Sequence, residues 1–235
     1  MNQRHLQKVS VVIVAGGMGK RLGAPVPKAF HLLGKKPLFQ YSLEIFDNHS
    51  LVQDIVLVVP ASLDKDIISC YEKLYVSKPL SIVKGGTERW QSVKNGVMAL
   101  DNSLNWVLIH DAARPFVTKQ VIDSLIAKHT DFDCVITGTP VTDTIRKFRD
   151  DICTDTIDRS TLIRIGTPQL FLRNSLLKAL SYADNMDKPP TDEAYLMEKC
   201  GIKIGFAWGD PGNFKITTPH DLEIAEGIIA NKKTG

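Results

Sequence analysis

The chain has 235 residues, 43% hydrophobic and 23% charged, with a formal net charge of +3 at neutral pH. That length can build one sizeable core, and the charge balance lacks the basic excess of a nucleic-acid binder. The first apolar run, Val11 to Ala15, is too short for a signal segment or a membrane span, so a soluble, cytoplasmic protein with no nucleic-acid or membrane partner is expected.

Val9–Val14 reads as the first strand, an apolar run without in-and-out alternation that suggests burial on both faces. It feeds directly into a glycine loop within "VVIVAGGMGKRLG". Strand, glycine loop and helix make an anion site, because glycine lets the backbone approach and its N–H groups can face a phosphate. No P-loop string occurs. The dinucleotide fingerprint also fails, since Gly17-x-Gly19 is followed by Gly23, one residue late. Lys20 and Arg21 lie inside the loop, and Lys28 follows in "PVPKAF". Three cations around one glycine loop suit a ligand with several phosphates; the alternative is a solvated surface loop.

A helix is expected over Leu38–Phe46 and a strand over Ile55–Val59. That strand ends in Pro60 where a dinucleotide site would carry an acid for the ribose. A helix over Leu63–Tyr75 and a strand over Leu80–Val83 follow. In "GGTERWQSVKNG", Gly85 and Gly86 open a helix over Trp90–Leu100, with Thr87 as a possible cap. On spacing alone Ser92 is a surface serine; the alternative is a contact to a sugar or base.

The strand Trp106–Ile109 leads into "HDAARPF". His110 reads as structural. Asp111 stands at the tip of an apolar strand, where open α/β sheets place ligands, and Arg114 follows. A carboxylate there can hold Mg²⁺ on a polyphosphate; the alternative is a turn or capping residue. A helix over Lys119–His129 and a strand over Cys134–Thr137 come next.

From Val141 to Asp158 the rhythm breaks, with spaced apolar residues among charges and "RDD" as a turn. This reads as an antiparallel hairpin with two wet faces, an arm at about 138–160. Such a ribbon is marginal alone, and a second subunit is the simple cover for it. Helices over Asn174–Tyr182 and Glu193–Lys199 flank "PPTDEA", where Thr191 reads as an N-cap and two acids as its first turn. A strand over Ile202–Phe206 precedes "FKITTPHDLEIAEGI". There Thr218 reads as N-cap, Pro219 as the first helical residue and Asp221 as its capping partner, which leaves Lys215 as a candidate phosphate contact.

Strand–helix alternation predicts an α/β fold, a Rossmann-like, mostly parallel twisted sheet with helices on both faces, in a single domain over 1–235. The cysteines at 70, 134, 153 and 200 form no C-x-x-C pair and are expected to be reduced and mostly buried.

The strings "AGGMGKRLG", "PVPKAF", "GGTERWQSV", "HDAARPF", "DTI", "DR", "TPQLF", "TDEA" and "NFKITTPHDLEIAE" stand in one order across almost the whole chain. Together they resemble the 2-C-methyl-D-erythritol 4-phosphate cytidylyltransferases. The resemblance implies a nucleotidyltransferase fold, a homodimer with exchanged arms, and Mg²⁺-dependent transfer of CMP from CTP to a sugar-alcohol phosphate in non-mevalonate isoprenoid synthesis. Residue by residue, it implies that Ala15, Gly16, Gly17, Gly19 and Lys20 hold the CTP phosphates. Gly86, Ser92, Asp111 and Ala112 would meet the nucleoside, and Arg21, Lys28 and Lys215 would be the catalytic cations. Asp111, Arg114, Thr167 and Thr191 would line the sugar-phosphate pocket, with Arg159 reaching it across the dimer and Asp111 also holding the metal.

Two departures stand out. The loop has Ala15-Gly16-Gly17 where the family usually has Ala-Ala-Gly, and Gly166 replaces a larger polar residue. Relatives acting on ribitol 5-phosphate or another alditol phosphate share most of the loop and form the alternative substrate reading; an NAD(P)-dependent reductase is the alternative from another class, and a nucleotide sensor a third. The chain ends soon after its closing helix, so no fused second enzyme is expected.

Overall fold

A computed structural model describes residues 7–17, 27–63, 76–101 and 103–231. The expected helix over Leu63–Tyr75 lies outside them except for its first residue, as do Gly19, Lys20, Arg21 and Cys70.

Seven strands form the main sheet: β1 (Val9–Val14), β4 (Val52–Val59), β5 (Leu80–Lys84), β6 (Trp106–Asp111), β7 (Cys134–Pro140), β10 (Ile163–Leu172) and β11 (Ile204–Trp208). β2 (Leu32–Leu33) and β3 (Lys36–Pro37) make a small ribbon, and β8 (Ile145–Arg149) and β9 (Ile152–Ile157) make the arm. The spatial order is β11-β7-β10-β6-β1-β4-β5. The β1/β4, β1/β6, β4/β5 and β7/β11 pairs are parallel, while β10 runs antiparallel to both β6 and β7. The described helices are α1 (Leu38–Asp47), α2 (Arg89–Met98), α3 (Lys119–Ile126), α4 (Arg173–Tyr182), α5 (Glu193–Lys199) and α6 (Pro219–Asn231).

The strand pleat sorts the core into two layers. Val11, Ile13, Ile55, Leu57 and Leu108 pack under α1 and α3, with Phe39, Phe46 and Ile122. Val12, Val56, Val58, Val107 and Ile109 face the other way, against Val93, Leu176, Leu196 and Met197 of α2, α4 and α5. Alternate residues of one strand thus enter opposite cores, which is why these runs read as continuously apolar. A third cluster of Leu33, Leu38, Ile216 and Ala225 fastens α6 beside the β2–β3 ribbon.

Four expectations need correction. β10 was not anticipated, because Gly166 and Pro168 interrupt its apolar pattern; its pairing with β7 shifts register between Gly166 and Leu170, as a proline without an amide donor requires. The last strand lies two residues later than expected, at Ile204–Trp208, and α3 stops at Ile126 rather than His129. The thiols are not mostly buried: Cys134 is, but Cys153 and Cys200 are exposed.

The arm matches its reading. Asp150 (φ 48°) and Asp151 (φ 65°) both adopt positive φ, the two-residue turn whose twist suits a tight hairpin. Its side chains face solvent, Phe148 being 78% and Ile152 66% exposed.

α2 owes its position partly to Arg173, a buried residue that donates to the carbonyls of Asp101 (3.0 Å), Val97 (3.1 Å) and Leu100 (3.2 Å) at the far end of that helix. Arg173→Met leaves those carbonyls without their donor and should lower the unfolding free energy by about 2 kcal/mol or more, as read from urea denaturation.

Candidate active site

The C-terminal ends of β1 and β6 meet where the strand order reverses, the crevice that open α/β sheets use for ligands. A cavity of about 560 Å³ opens there, and Ala15, Gly16, Gly17, Lys28, Gly86, Ser92, Asp111 and Lys215 are among its lining residues. A second cavity of about 240 Å³ adjoins it, lined in part by Arg114, Arg164, Gly166, Thr167 and Asn213. Lys215 lines both.

Each cation is delivered by a separate local device. Lys28 opens a single helical turn, Lys28–Phe30, whose Ala29 and Phe30 are buried, with the Phe30 ring against Phe39. Lys215 precedes Ile216, whose backbone N–H donates to the Ala113 carbonyl at 2.9 Å while its side chain enters the core. The α6 cap then follows the expected pattern: the Asp221 N–H donates to the Thr218 hydroxyl, and the Thr218 N–H donates to the Asp221 carboxylate.

Asp111 is the most constrained group. It is the last residue of β6, and its N–H donates to the Thr167 hydroxyl at 3.0 Å. Its Oδ1 accepts from Arg89 Nε (3.1 Å) and Nη2 (3.0 Å), and its Oδ2 from Lys215 Nζ (2.7 Å). Burial alone would raise its pKa, but Arg89 and Lys215 outweigh that and hold the carboxyl well below its usual range. Arg89 in turn donates through Nη1 to both oxygens of Glu193, at 2.7 and 2.6 Å. Glu193 is fully buried, and burial pushes its pKa up against the pull of Arg89.

His110 is structural, as its sequence reading expects. Its Nε2 lies 3.1 Å from both the Ser42 hydroxyl and the Arg114 carbonyl, and its Nδ1 lies 3.3 Å from the Thr167 hydroxyl. The carbonyl can only accept, so Nε2 carries the proton and Nδ1 accepts from Thr167. Burial lowers the ring's pKa to about 4, which keeps it neutral.

Ser92 is not a surface serine. It is buried, its Oγ accepts from the Gly86 N–H at 3.1 Å and donates to the Glu88 carbonyl at 3.2 Å. The loop folds over it so tightly that a Cβ on Gly85 would lie 2.5 Å from that oxygen, and one on Gly16 would lie 3.3 Å away. Thr87 does not cap α2; Glu88 occupies the N-cap, and Thr87 donates its hydroxyl to Gln91.

Other expected residues fall elsewhere. Ala112 is fully buried in the core, and its neighbour Ala113 lines the larger cavity instead. Asp192, not Thr191, caps α5 by accepting from the Tyr195 N–H. Thr191 is exposed and lines neither cavity. Arg159 sits exposed on the arm, donating to the Thr142 carbonyl and apart from both cavities of its own chain. Arg114 and Thr167 do line the smaller cavity, where Arg114 Nη1 donates to the Asn213 carbonyl at 3.0 Å.

Sequence reasoning passed over Arg89 and Glu193. Both open helices, where an arginine reads as solvated and a glutamate as a dipole partner. Their signal is pairing across 104 residues, which no local pattern carries.

A family model described as 2-C-methyl-D-erythritol 4-phosphate cytidylyltransferase matches residues 9–231. A relative of that name from Alkaliphilus metalliredigens is 37% identical over 230 residues, spanning 97% of this chain and 95% of its own. Another, from Geobacter metallireducens, is 38% identical over 231 residues, spanning 95% and 98%. The crystal structure of 4-diphosphocytidyl-2C-methyl-D-erythritol synthase from Anaerococcus prevotii superposes with a TM-score of 0.83 at 27% identity, covering 95% of this chain and 99% of that one.

The packing at Ser92 has a direct check. Gly85→Ala should cost about 1–3 kcal/mol of stability, and adding Ser92→Ala to it should recover part of that loss, because the two sites share one contact. A double-mutant cycle in urea reads the coupling.

Proposed function

The chain belongs to the 2-C-methyl-D-erythritol 4-phosphate cytidylyltransferase family, and we propose that it joins CTP to 2-C-methyl-D-erythritol 4-phosphate, releasing pyrophosphate. The observation that carries this reading is the placement of Lys215 on the wall shared by a nucleotide-sized cavity and a smaller one. Two anionic reactants held in adjoining cavities meet at one cation.

The substrate phosphate is already anionic at neutral pH, so its oxygen attacks the α-phosphorus without a general base. The new oxygen–phosphorus bond forms as the bond to the bridging oxygen breaks, and pyrophosphate departs. The neutral, fully bonded His110 is not needed as a base. What opposes reaction is repulsion between the anions and charge build-up at the α-phosphate, and fixed cations in a partly dry cleft relieve both. Lys28 and Lys215 line the larger cavity, which supports giving them that work, and Arg21 joins them on the strength of the resemblance. Ala15, Gly16 and Gly17 supply backbone beside the phosphates, Gly86 and the Ser92-braced loop beside the nucleoside. Arg114 and Thr167 line the smaller cavity, which this reading gives to the acceptor phosphate, and a planar guanidinium suits a phosphate.

A divalent cation fits this donor set. Among the described residues no cluster of three or more His, Cys, Asp or Glu could cage a metal. Mg²⁺ commonly needs only one or two carboxylates beside a substrate's phosphates, and Asp111 supplies one at the cavity wall. Bound there, Mg²⁺ would neutralise phosphate charge.

The arm supports a homodimer in which each hairpin lies on the other subunit. β8 and β9 form a sheet of their own with Phe148 and Ile152 exposed, and a free two-stranded ribbon is marginal in water. Arg159 would then reach the acceptor phosphate of the partner subunit's site. Among the described residues no helix is long and apolar enough to cross a membrane.

Pyrophosphate release across the four nucleoside triphosphates and several sugar phosphates, with and without Mg²⁺, tests the assignment. CTP with methylerythritol phosphate should exceed all other pairs; preference for ribitol 5-phosphate would overturn the acceptor. Lys28→Ala should lower kcat about a hundredfold or more, and a near-normal kcat removes its role. Arg159→Ala should raise KM for the sugar phosphate more than KM for CTP, whereas equal changes dissociate it from the acceptor.

A further inference from the structure

Four charged groups form one chain at the cavity wall: Glu193, Arg89, Asp111 and Lys215, in alternating sign. Arg89 spends its fork on two carboxylates, with Nε and Nη2 on Asp111 Oδ1 and Nη1 on both oxygens of Glu193. Arg89, Asp111 and Lys215 of this chain line the larger cavity, whereas Glu193 is fully buried at the start of α5 and lines neither cavity.

The charge count explains why a buried glutamate belongs there. With Lys215 bonded to Asp111, the four groups sum to zero. When Lys215 turns to a substrate phosphate, Glu193, Arg89 and Asp111 remain, with a net charge of −1. That is an anionic seat. Without Glu193, Arg89 and Asp111 alone would cancel, and the carboxylate at the wall would offer a cation little attraction. The two carboxylates, Glu193 and Asp111, are shielded from screening by water, while Arg89 and Lys215 remain partly exposed.

We propose that Glu193 is a positioning residue that acts through Arg89, holding the guanidinium's charge in check so that Asp111 can take a divalent cation arriving with the nucleotide. The proposal rests on the nucleotide-transfer reading above. Glu193 touches no reactant; it sets the charge and the orientation of the group that does. Outer-shell partners of metal-binding carboxylates commonly shift metal affinity 10- to 100-fold.

Isothermal titration of the full chain with CTP, in EDTA and in excess MgCl₂, separates this role from a purely structural one. For the native protein Mg²⁺ should tighten CTP binding; if it does not, the nucleotide-transfer reading itself fails. In Glu193→Gln, affinity in EDTA should stay within about twofold, while the gain from Mg²⁺ should fall about tenfold. A lowered melting temperature with the Mg²⁺ gain intact, or an equal loss in both buffers, overturns the proposal. Glu193→Asp keeps the negative charge and should retain most of the Mg²⁺ gain, so it decides the matter if Glu193→Gln fails to fold. Loss of the gain in a folded Glu193→Asp also overturns the proposal.

Discussion

A carboxylate buried at the end of a central strand must be compensated, or it does not stay charged. Asp111 meets that requirement with partners drawn from four places in the chain. Arg89 comes from the start of α2, Lys215 from the loop before α6, Thr167 from β10, and Glu193 stands behind Arg89 at the start of α5. One charge thus fastens two helices and an antiparallel strand to the rim of the sheet. The same network draws the cleft's walls together, because Arg89, Asp111 and Lys215 all line the larger cavity. Removing one partner would leave a neighbouring charge buried and unopposed, so the site and the fold around it are not separable in energy.

The antiparallel strand β10 makes the second cavity. An all-parallel sheet would carry the chain away from the rim through a helix. β10 instead returns along β6 and β7 with its irregular stretch between Gly166 and Leu170 beside Asp111. There Thr167 serves twice: its hydroxyl accepts from Asp111 and contacts His110, and its carbonyl accepts from the Asn213 amide at 2.9 Å. Gly166 leaves room next to Arg114, whose guanidinium would lie 3.6 Å from an added Cβ. The smaller cavity is therefore a product of the strand that breaks the parallel pattern.

Much of the frame was legible because it is local. Continuous β-branched runs announced β1, β4 and β6, and Thr218-Pro219 with Asp221 announced the cap of α6. Asp150 and Asp151 marked the arm's turn. The position of Asp111 at a strand tip was legible for the same reason, and so was that of Lys215 just ahead of the closing helix. What escaped was tertiary. Gly166 and Pro168 hid β10, since a strand held by neighbours on both sides tolerates residues that local propensity disfavours. Arg89 and Glu193 look like surface charges until the fold pairs them and buries the glutamate. Ser92 looks exposed until two glycine loops are seen to rest on its hydroxyl.

Ser92 also explains why selectivity for a base would be hard to read from side chains. The wall formed by Gly16 and Gly86 is backbone, and Gly85 has no space for a Cβ against Ser92. The serine spends its hydroxyl on the Gly86 N–H and the Glu88 carbonyl. It therefore shapes the edge that a nucleoside would meet without presenting a free donor or acceptor of its own. Recognition at such a wall depends on where backbone groups are held, and that is set by a hydroxyl and three missing side chains rather than by any residue that would advertise a contact. The same logic runs through the rest of the cleft. Arg89, Thr167 and Ser92 each hold a neighbouring loop or carboxylate in place, and Lys28, Asp111, Arg114 and Lys215 bring charge to the cavity walls.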